Sequence, residues 1–423
     1  MLFLYNVVIL LISPALLVYF LIRLWLRGFD LRAVRERFGF LPDLPDAGGG
    51  RLWLHAVSVG EVGVAAVLIP ALLRKKPKLK IVLSTVTQTG RNEAGKISGL
   101  EHLIYLPLDF PLIVRSAMER IRPSMIALIE TEIWPNLVAE AARRNIPVSI
   151  INGRLSERSY HRYKRFQYFF SSILRCFTDV LVRGEGDAER FLGLGATSVR
   201  VAGNIKFDAP VPLQEPPHGA YGLGACRHIV VAGSTHPGEE KLIGEVMASI
   251  HRKMPEVGLL LAPRHMERVA QVEADLQNAG ISPVRWSQVK DTSGEHQVVI
   301  LDVMGELADA YGCAAMAIIG GSFIPHGGQN PIEAARWAVP CLCGPHMENF
   351  AEVMCEMVKQ GGVIQLNGRE NLEGAVMKWL DDPESRSRAG EAARRVVQNN
   401  QGASERTAEY IVQVLAGSDK GAA

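Results

Sequence analysis

The chain has 423 residues, enough for two or three domains. Charged residues make up 21% and apolar residues in the wide sense 48%, which excludes a disordered or collagen-like chain. Lys and Arg number 46 against 44 Asp and Glu, a net charge of +2 that argues against nucleic acid as a partner.

Met1 to Ile22 carry no charge, and Leu, Ile, Val and Phe dominate. A helix of that length spans about 33 Å, enough for a bilayer core. Arg23, Arg27, Arg32, Arg35 and Arg37 follow, against Asp30 and Glu36, and this bias places the remaining chain on the cytoplasmic side. A cleaved signal peptide would need a basic stretch before the apolar run and a small-residue cleavage site after it. The expectation is an uncleaved membrane anchor helix over residues 1–26 and a basic juxtamembrane segment over 27–50. The six cysteines form neither a disulfide framework nor a zinc site, and read as reduced, buried thiols.

After Gly48-Gly49-Gly50 short apolar runs alternate with amphipathic stretches. Strands are expected at Leu52–Val57, Ile81–Thr85, Leu103–Leu106, Ser124–Ile129, Val148–Ile151, Val180–Val182 and Val199–Val201. A second series reads Ile229–Ala232, Leu259–Ala262, Val298–Leu301, Met316–Ile319, Pro340–Cys343 and Val363–Gln365. The alternation predicts parallel sheets covered by helices on both faces. The proline-rich stretch from Asp208 to Pro217 separates the series as a linker. The fold class is therefore α/β, with two Rossmann-like, doubly wound domains facing a cleft. The expected boundaries are 51–208 for the first domain, 209–226 for the linker and 227–423 for the second domain with the C-terminal helices.

In such sheets ligands bind beyond the carboxyl ends of the strands, and the residues there are polar. Ser58-Val59-Gly60-Glu61 opens a helix. It is a capping-box pattern, yet Glu61 also stands where a carboxylate can take a proton from an attacking hydroxyl. Glu130 and Glu132 follow the fourth strand as a close acidic pair, which needs cations nearby or divides between solvent and a helix cap. Asn152-Gly153-Arg154 is a turn feeding a helix capped by Ser156, whose basic and aromatic face suits an anionic surface or is an ordinary solvated face. Lys206 offers a fixed positive charge, or a hinge ion pair with Asp208. In the second half, Gly233-Ser234-Thr235 precedes a helix as a small-residue anion site. Pro263-Arg264 supplies a guanidinium at a strand end. In Gly327-Gly328-Gln329-Asn330-Pro331-Ile332-Glu333, Asn330 is expected as N-cap and Pro331 as first helical residue. Glu333 is placed to accept from ribose hydroxyls. A P-loop and a dinucleotide fingerprint are both missing.

Taken together, S-V-G-E, E-T-E-I-W-P-N, N-G-R-L-S, G-N-I-K-F-D, G-S-T-H-P-G-E-E, A-P-R-H, M-G-E-L and G-G-S-F-x-P-x-G-G-Q-N-P-I-E resemble the 3-deoxy-D-manno-octulosonic acid (Kdo) transferases of Gram-negative lipopolysaccharide synthesis. The resemblance covers nearly the whole chain. It implies a GT-B glycosyltransferase of the bacterial inner membrane, with CMP-Kdo as donor and the tetraacyldisaccharide lipid A precursor as acceptor on the cytoplasmic leaflet. It also implies inversion at the anomeric carbon and no metal or other cofactor. The absence of a D-x-D triplet at a strand end points the same way. Glu61 matches the general base, and Glu130, Glu132 and Lys206 match positions that steady the reacting centre. Ser58, Gly60, Asn152 and Arg154 fall on the acceptor side. Ser234, Thr235, Pro263, Arg264, Met304-Gly305-Glu306, Gly328 and Asn330-Pro331-Ile332-Glu333 fall on the CMP side. The alternatives are a GT-B enzyme using another nucleotide sugar, a related epimerase, or a membrane-tethered nucleotide- or lipid-binding module without catalysis.

Overall fold

Alternate residues of a strand point to opposite faces, so a run that is apolar throughout must be covered on both sides. Arg51–His55 shows this: Leu52 and Leu54 belong to one core and Trp53 to another, and all three are at most 1% exposed. A computed structural model describes residues 2–27, 31–45, 47, 50–210, 216, 219–289 and 296–420. It divides into two units, Met1–Ala209 with Gln401–Ala423, and Pro210–Asn400.

The first unit holds a seven-stranded parallel sheet. Its strands are β1 (Arg51–His55), β2 (Lys80–Thr85), β3 (His102–Tyr105), β4 (Met125–Ile129), β5 (Val148–Gly153), β6 (Asp179–Val182) and β7 (Val199–Val201). They are ordered β3-β2-β1-β4-β5-β6-β7. The order reverses between β1 and β4, so the loops after those two strands diverge and leave a crevice at the carboxyl edge. The second unit holds β8 (His228–Thr235), β9 (Val257–Pro263), β10 (Val284–Arg285), β11 (Val298–Ile300), β12 (Met316–Ile319), β13 (Cys341–Cys343) and β14 (Val363–Gln365). Their order is β10-β11-β9-β8-β12-β13-β14, again parallel, with the reversal between β8 and β12. All thirteen expected strands are present. The additional one, β10, is a two-residue edge strand too short to leave a pattern in the sequence.

The N-terminus departs from expectation. Helix α1 (Leu2–Arg27) forms, but among the described residues no helix is long and apolar enough to cross a membrane. Its first turns are tied to the domain instead. The Tyr5 hydroxyl donates to Asp109 at 2.9 Å, and Asn136 Nδ2 donates to Asn6 Oδ1 at 2.7 Å. A polar face with built partners belongs to a docked helix, so the single-pass anchor is corrected to a helix lying on the first unit. A short α2 (Leu31–Arg37) follows.

The C-terminus is also reassigned. The helix Ala403–Lys420 belongs to the first unit, not to the second. Asp208 accepts from the backbone N–H of Gly402 at 2.6 Å and of Ser404 at 2.5 Å, capping that helix. Ala408, Ile411 and Leu415 then pack beneath the sheet against α3 (Val59–Lys75). Within the expected 209–226 linker, 211–215, 217 and 218 lie outside the described residues, as do Gly48 and Gly49. Cys226, Cys341 and Cys343 are buried as expected, whereas Cys176 and Cys355 are exposed.

Candidate active site

In the first unit the chain leaves β1 and turns into α3, with Ser58 as N-cap. The expected capping box forms only in part. Glu61 reaches back past Ser58 to the Val57 N–H, which donates to Oε2 at 2.7 Å, and the Ser58 hydroxyl donates to Oε1 at 3.1 Å. The carboxylate is thus fixed at the crevice and 7% exposed. Desolvation pushes its pKa up to about 7; the Val57 bond opposes this, and the charges of Glu130 and Glu132 add to it. A carboxyl group that is half ionised near neutral pH is suited to act as a general base.

Glu130 ends β4, across the topological reversal from Glu61. It adopts φ +62°, a conformation costly for a residue with a side chain. Arg183 and Lys206 hold it there, the latter with Nζ at 3.1 Å. Burial disfavours its charge, but Arg183, Lys206 and Arg154 outweigh that and hold the carboxyl far below the usual range. Lys206 therefore pairs with Glu130, while Asp208 caps the last helix. Glu132 is pushed upward by burial and by Glu130. It does not cap the next helix; Asp109 accepts from the Asn136 and Leu137 N–H groups at 3.0 and 2.9 Å instead.

Asn152, at the end of β5, also has positive φ, +52°. Its Oδ1 accepts from the Ile205 N–H at 2.9 Å, and its carbonyl accepts from Arg183 Nε at 3.3 Å. This residue therefore places the Lys206 turn, through its side chain, and the Arg183 guanidinium, through its carbonyl, together. Burial lowers the Arg154 pKa, and Arg183 adds to that. The cluster holds three cations, Arg154, Arg183 and Lys206, around the single Glu130. Glu61 and Glu132 in turn feel the charge of Glu130. Ser58 is half-buried and Gly60 exposed at the same edge.

The second unit arranges its residues around its own reversal. Thr235 is buried, and its hydroxyl donates to Glu240 at 3.2 Å; Glu240 in turn pairs with Arg268 at 2.8 Å. Ser234 adopts φ +55°. Glu239, which opens the following helix, gathers amides from beyond the small-residue turn. That carboxylate accepts from the N–H groups of His236, Gly321, Ser322 and Phe323 at 2.7 to 3.0 Å. The Arg264 N–H donates to the Thr235 carbonyl at 3.0 Å, which brings Pro263-Arg264 beside the β8 turn.

The N-cap of the helix Ile332–Arg336 is Pro331, one residue later than expected, because Asn330 Oδ1 receives the Ile332 N–H from outside the helix at 3.1 Å. Asn330 Nδ2 donates to Glu333 at 3.0 Å. Gly327 and Gly328 have φ of +95° and +76°, and a Cβ on Gly328 would lie 2.2 Å from Met347 Sδ, so the loop requires both. Met304, Gly305 and Glu306 are exposed beyond β11.

Sequence reasoning passed over three histidines here. His236 packs on His326 with ring centroids 4.1 Å apart and edge-on to His265 at 5.8 Å, and it meets Gln329 Nε2 at 2.9 Å. Desolvation lowers its pKa to about 4, and His326, His265, Arg264 and Arg268 contribute. Each histidine follows a different strand, so only the adjacency of β8, β9 and β12 reveals the cluster. Asp109 and Arg183 were missed for the same reason.

Two doubly wound parallel sheets, with Glu61 at the switch point of one and Arg264 with the histidines at that of the other, make a GT-B-like fold. The fold has that company: a glycosyltransferase from Rickettsia africae aligns with TM-score 0.60 over 87% of this chain and 98% of its own, at 14% identity. A profile of the family described as 3-deoxy-D-manno-octulosonic-acid transferase (kdotransferase) matches residues 32–209. The 3-deoxy-D-manno-octulosonic acid transferase of Haemophilus influenzae is 33% identical over 388 residues, covering 90% of this chain and 91% of its own. That of Bordetella pertussis is 32% identical over 85% and 86%. The chain belongs to the Kdo transferase family.

Proposed function

We propose that the chain transfers Kdo from CMP-Kdo to a hydroxyl of the tetraacyldisaccharide lipid A precursor, with inversion at the anomeric carbon. The observation that carries this reading is the Glu61 carboxylate, fixed by Val57 and Ser58 and half ionised near neutral pH. Glu61 takes the hydroxyl proton as the new C–O bond forms, and the bond to CMP breaks with its electron pair leaving on the phosphate. Lys206, Arg183 and Arg154 oppose the carboxylate that Kdo itself carries, while Glu130 spaces these cations and Glu132 raises the basicity of Glu61. Ser58, Gly60 and Asn152 border the acceptor hydroxyl.

In the second unit Arg264 and the histidine cluster meet the CMP phosphate, Asn330 and Glu333 meet the ribose, and Ser234, Gly328 and Met304–Glu306 border the nucleotide. Thr235, Pro263, Pro331 and Ile332 shape these turns. The first unit works on the cytoplasmic leaflet of the inner membrane. Phe3, Leu4, Leu10 and Leu11 of α1 are 58 to 81% exposed, and they enter the lipid interface from a helix lying on the membrane.

The test is incubation of the full chain with CMP-Kdo and detergent-dispersed precursor, read by product mass. A product heavier by one or more Kdo residues is expected. Its absence, with consumption of a UDP-sugar instead, would overturn the proposal.

A further inference from the structure

A cavity of about 530 Å³ opens beside α2, in the first unit and among residues to which neither transfer nor nucleotide binding gives a role. Its volume lies within the range of about 300–1,000 Å³ typical of small-molecule sites. Leu31, Phe40 and Leu41 form an apolar side, and Arg32, Arg35 and His102 form a basic one.

Glu36 is turned inward, where it accepts from Arg91 Nη1 at 2.8 Å, from the Tyr105 N–H at 2.8 Å and from Arg32 Nε at 2.7 Å. Its carboxylate is 5% exposed, so its charge is met inside the fold. Arg37 and Arg91 lie on the Tyr105 ring, at 4.6 and 4.5 Å from its centroid. They fix the floor beneath α2. Arg32 and Arg91 thus meet one buried carboxylate, while Arg37 donates to the Val86 carbonyl. Arg32 and Arg35 are exposed at the cavity. Leu31 and Phe40, 57% and 61% exposed, stand beside these cations.

We propose that this cavity binds one anionic glycerophospholipid, with its phosphodiester against Arg32 and Arg35 and its first acyl carbons along Leu31 and Phe40. Apposed guanidinium and hydrocarbon surfaces match a phosphate joined to an acyl chain. A free phosphate would leave the apolar side unused, and a zwitterionic headgroup would bring its own cation to the arginines. Only residues 28–30 separate α2 from α1, so the site lies next to the helix read as interfacial. The proposal rests on that reading and goes beyond it, from diffuse attraction to a saturable site.

The test is native mass spectrometry of the full chain released from neutral detergent and titrated with phosphatidylglycerol, phosphatidylcholine or inorganic phosphate. A single saturating phosphatidylglycerol adduct is expected. Its apparent affinity should fall about tenfold in Arg35→Glu and be largely kept in Arg35→Lys. Phe40→Ser should weaken the same adduct, while Arg35→Glu leaves turnover of detergent-dispersed acceptor unchanged and so reports a folded protein. Equal retention of phosphatidylcholine, equal binding of inorganic phosphate, or an Arg35→Glu adduct as strong as that of the parent would overturn the site. The readout needs no CMP-Kdo, so failure of the transfer reaction would not be mistaken for failure of the site.

Discussion

Glu61→Gln isolates the role assigned to the buried carboxyl. Glutamine keeps the shape, an oxygen for the Val57 N–H and an amide for Ser58, but it cannot take a proton. Removing a general base lowers turnover by about 10²–10⁴-fold. The pH dependence is more discriminating than the loss itself. With the pKa raised from 4.5 to about 7, kcat/KM of the parent should fall roughly tenfold per pH unit below about 7 and level off above it. The variant's residual activity should lack that limb. Stability supplies a separate check. The folded pKa of this acid lies above its unfolded value, so its contribution is present below pH 4.5 and is lost as pH rises through about 7. The gap corresponds to about 3 kcal/mol. Glu61→Gln should therefore melt higher than the parent at pH 8 and about level with it at pH 4. Thermal melts and initial rates between pH 5 and 9 measure both effects. A folded Glu61→Gln protein with near-normal turnover, or with the acidic limb intact, would refute the assignment.

Lys206→Met should reduce turnover by at least about tenfold and lower the melting temperature, because it removes one of the cations that keep Glu130 ionised; a spared melting temperature with spared kinetics would show the pair to be idle. Asp208→Ala should release the start of the helix Ala403–Lys420, destabilise the protein by about 1–2 kcal/mol and increase hydrogen exchange in that helix, as read by mass spectrometry. His55 is fully buried, and desolvation holds its pKa at about 4. The unfolded chain takes up that proton first, near pH 6.5, so stability should decline between about pH 6.5 and 4, and His55→Gln should flatten the decline seen in melts over that window.

The alternation of apolar runs and amphipathic stretches placed thirteen strands and two parallel sheets, because burial on both faces writes itself into every residue of a short run. The position just beyond a strand marks Glu61, Glu130, Asn152, Lys206 and Arg264 as candidates. What each of them meets was decided by tertiary structure. Lys206 and Asp208 are near neighbours in sequence, yet one pairs with Glu130 and the other caps a helix at Gly402 and Ser404. Glu239 has three of its four amide partners in the loop after β12, more than eighty residues away. The first helix reads as an anchor by its apolar count, whereas the partners of Tyr5 and Asn6 are Asp109 and Asn136, more than a hundred residues away. Periodicity and turn chemistry are local and survive in the linear order of residues. Charge pairing, desolvation and the reassignment of the last helix depend on which distant segments the sheet order brings together, and that order has no signature in any one stretch of chain.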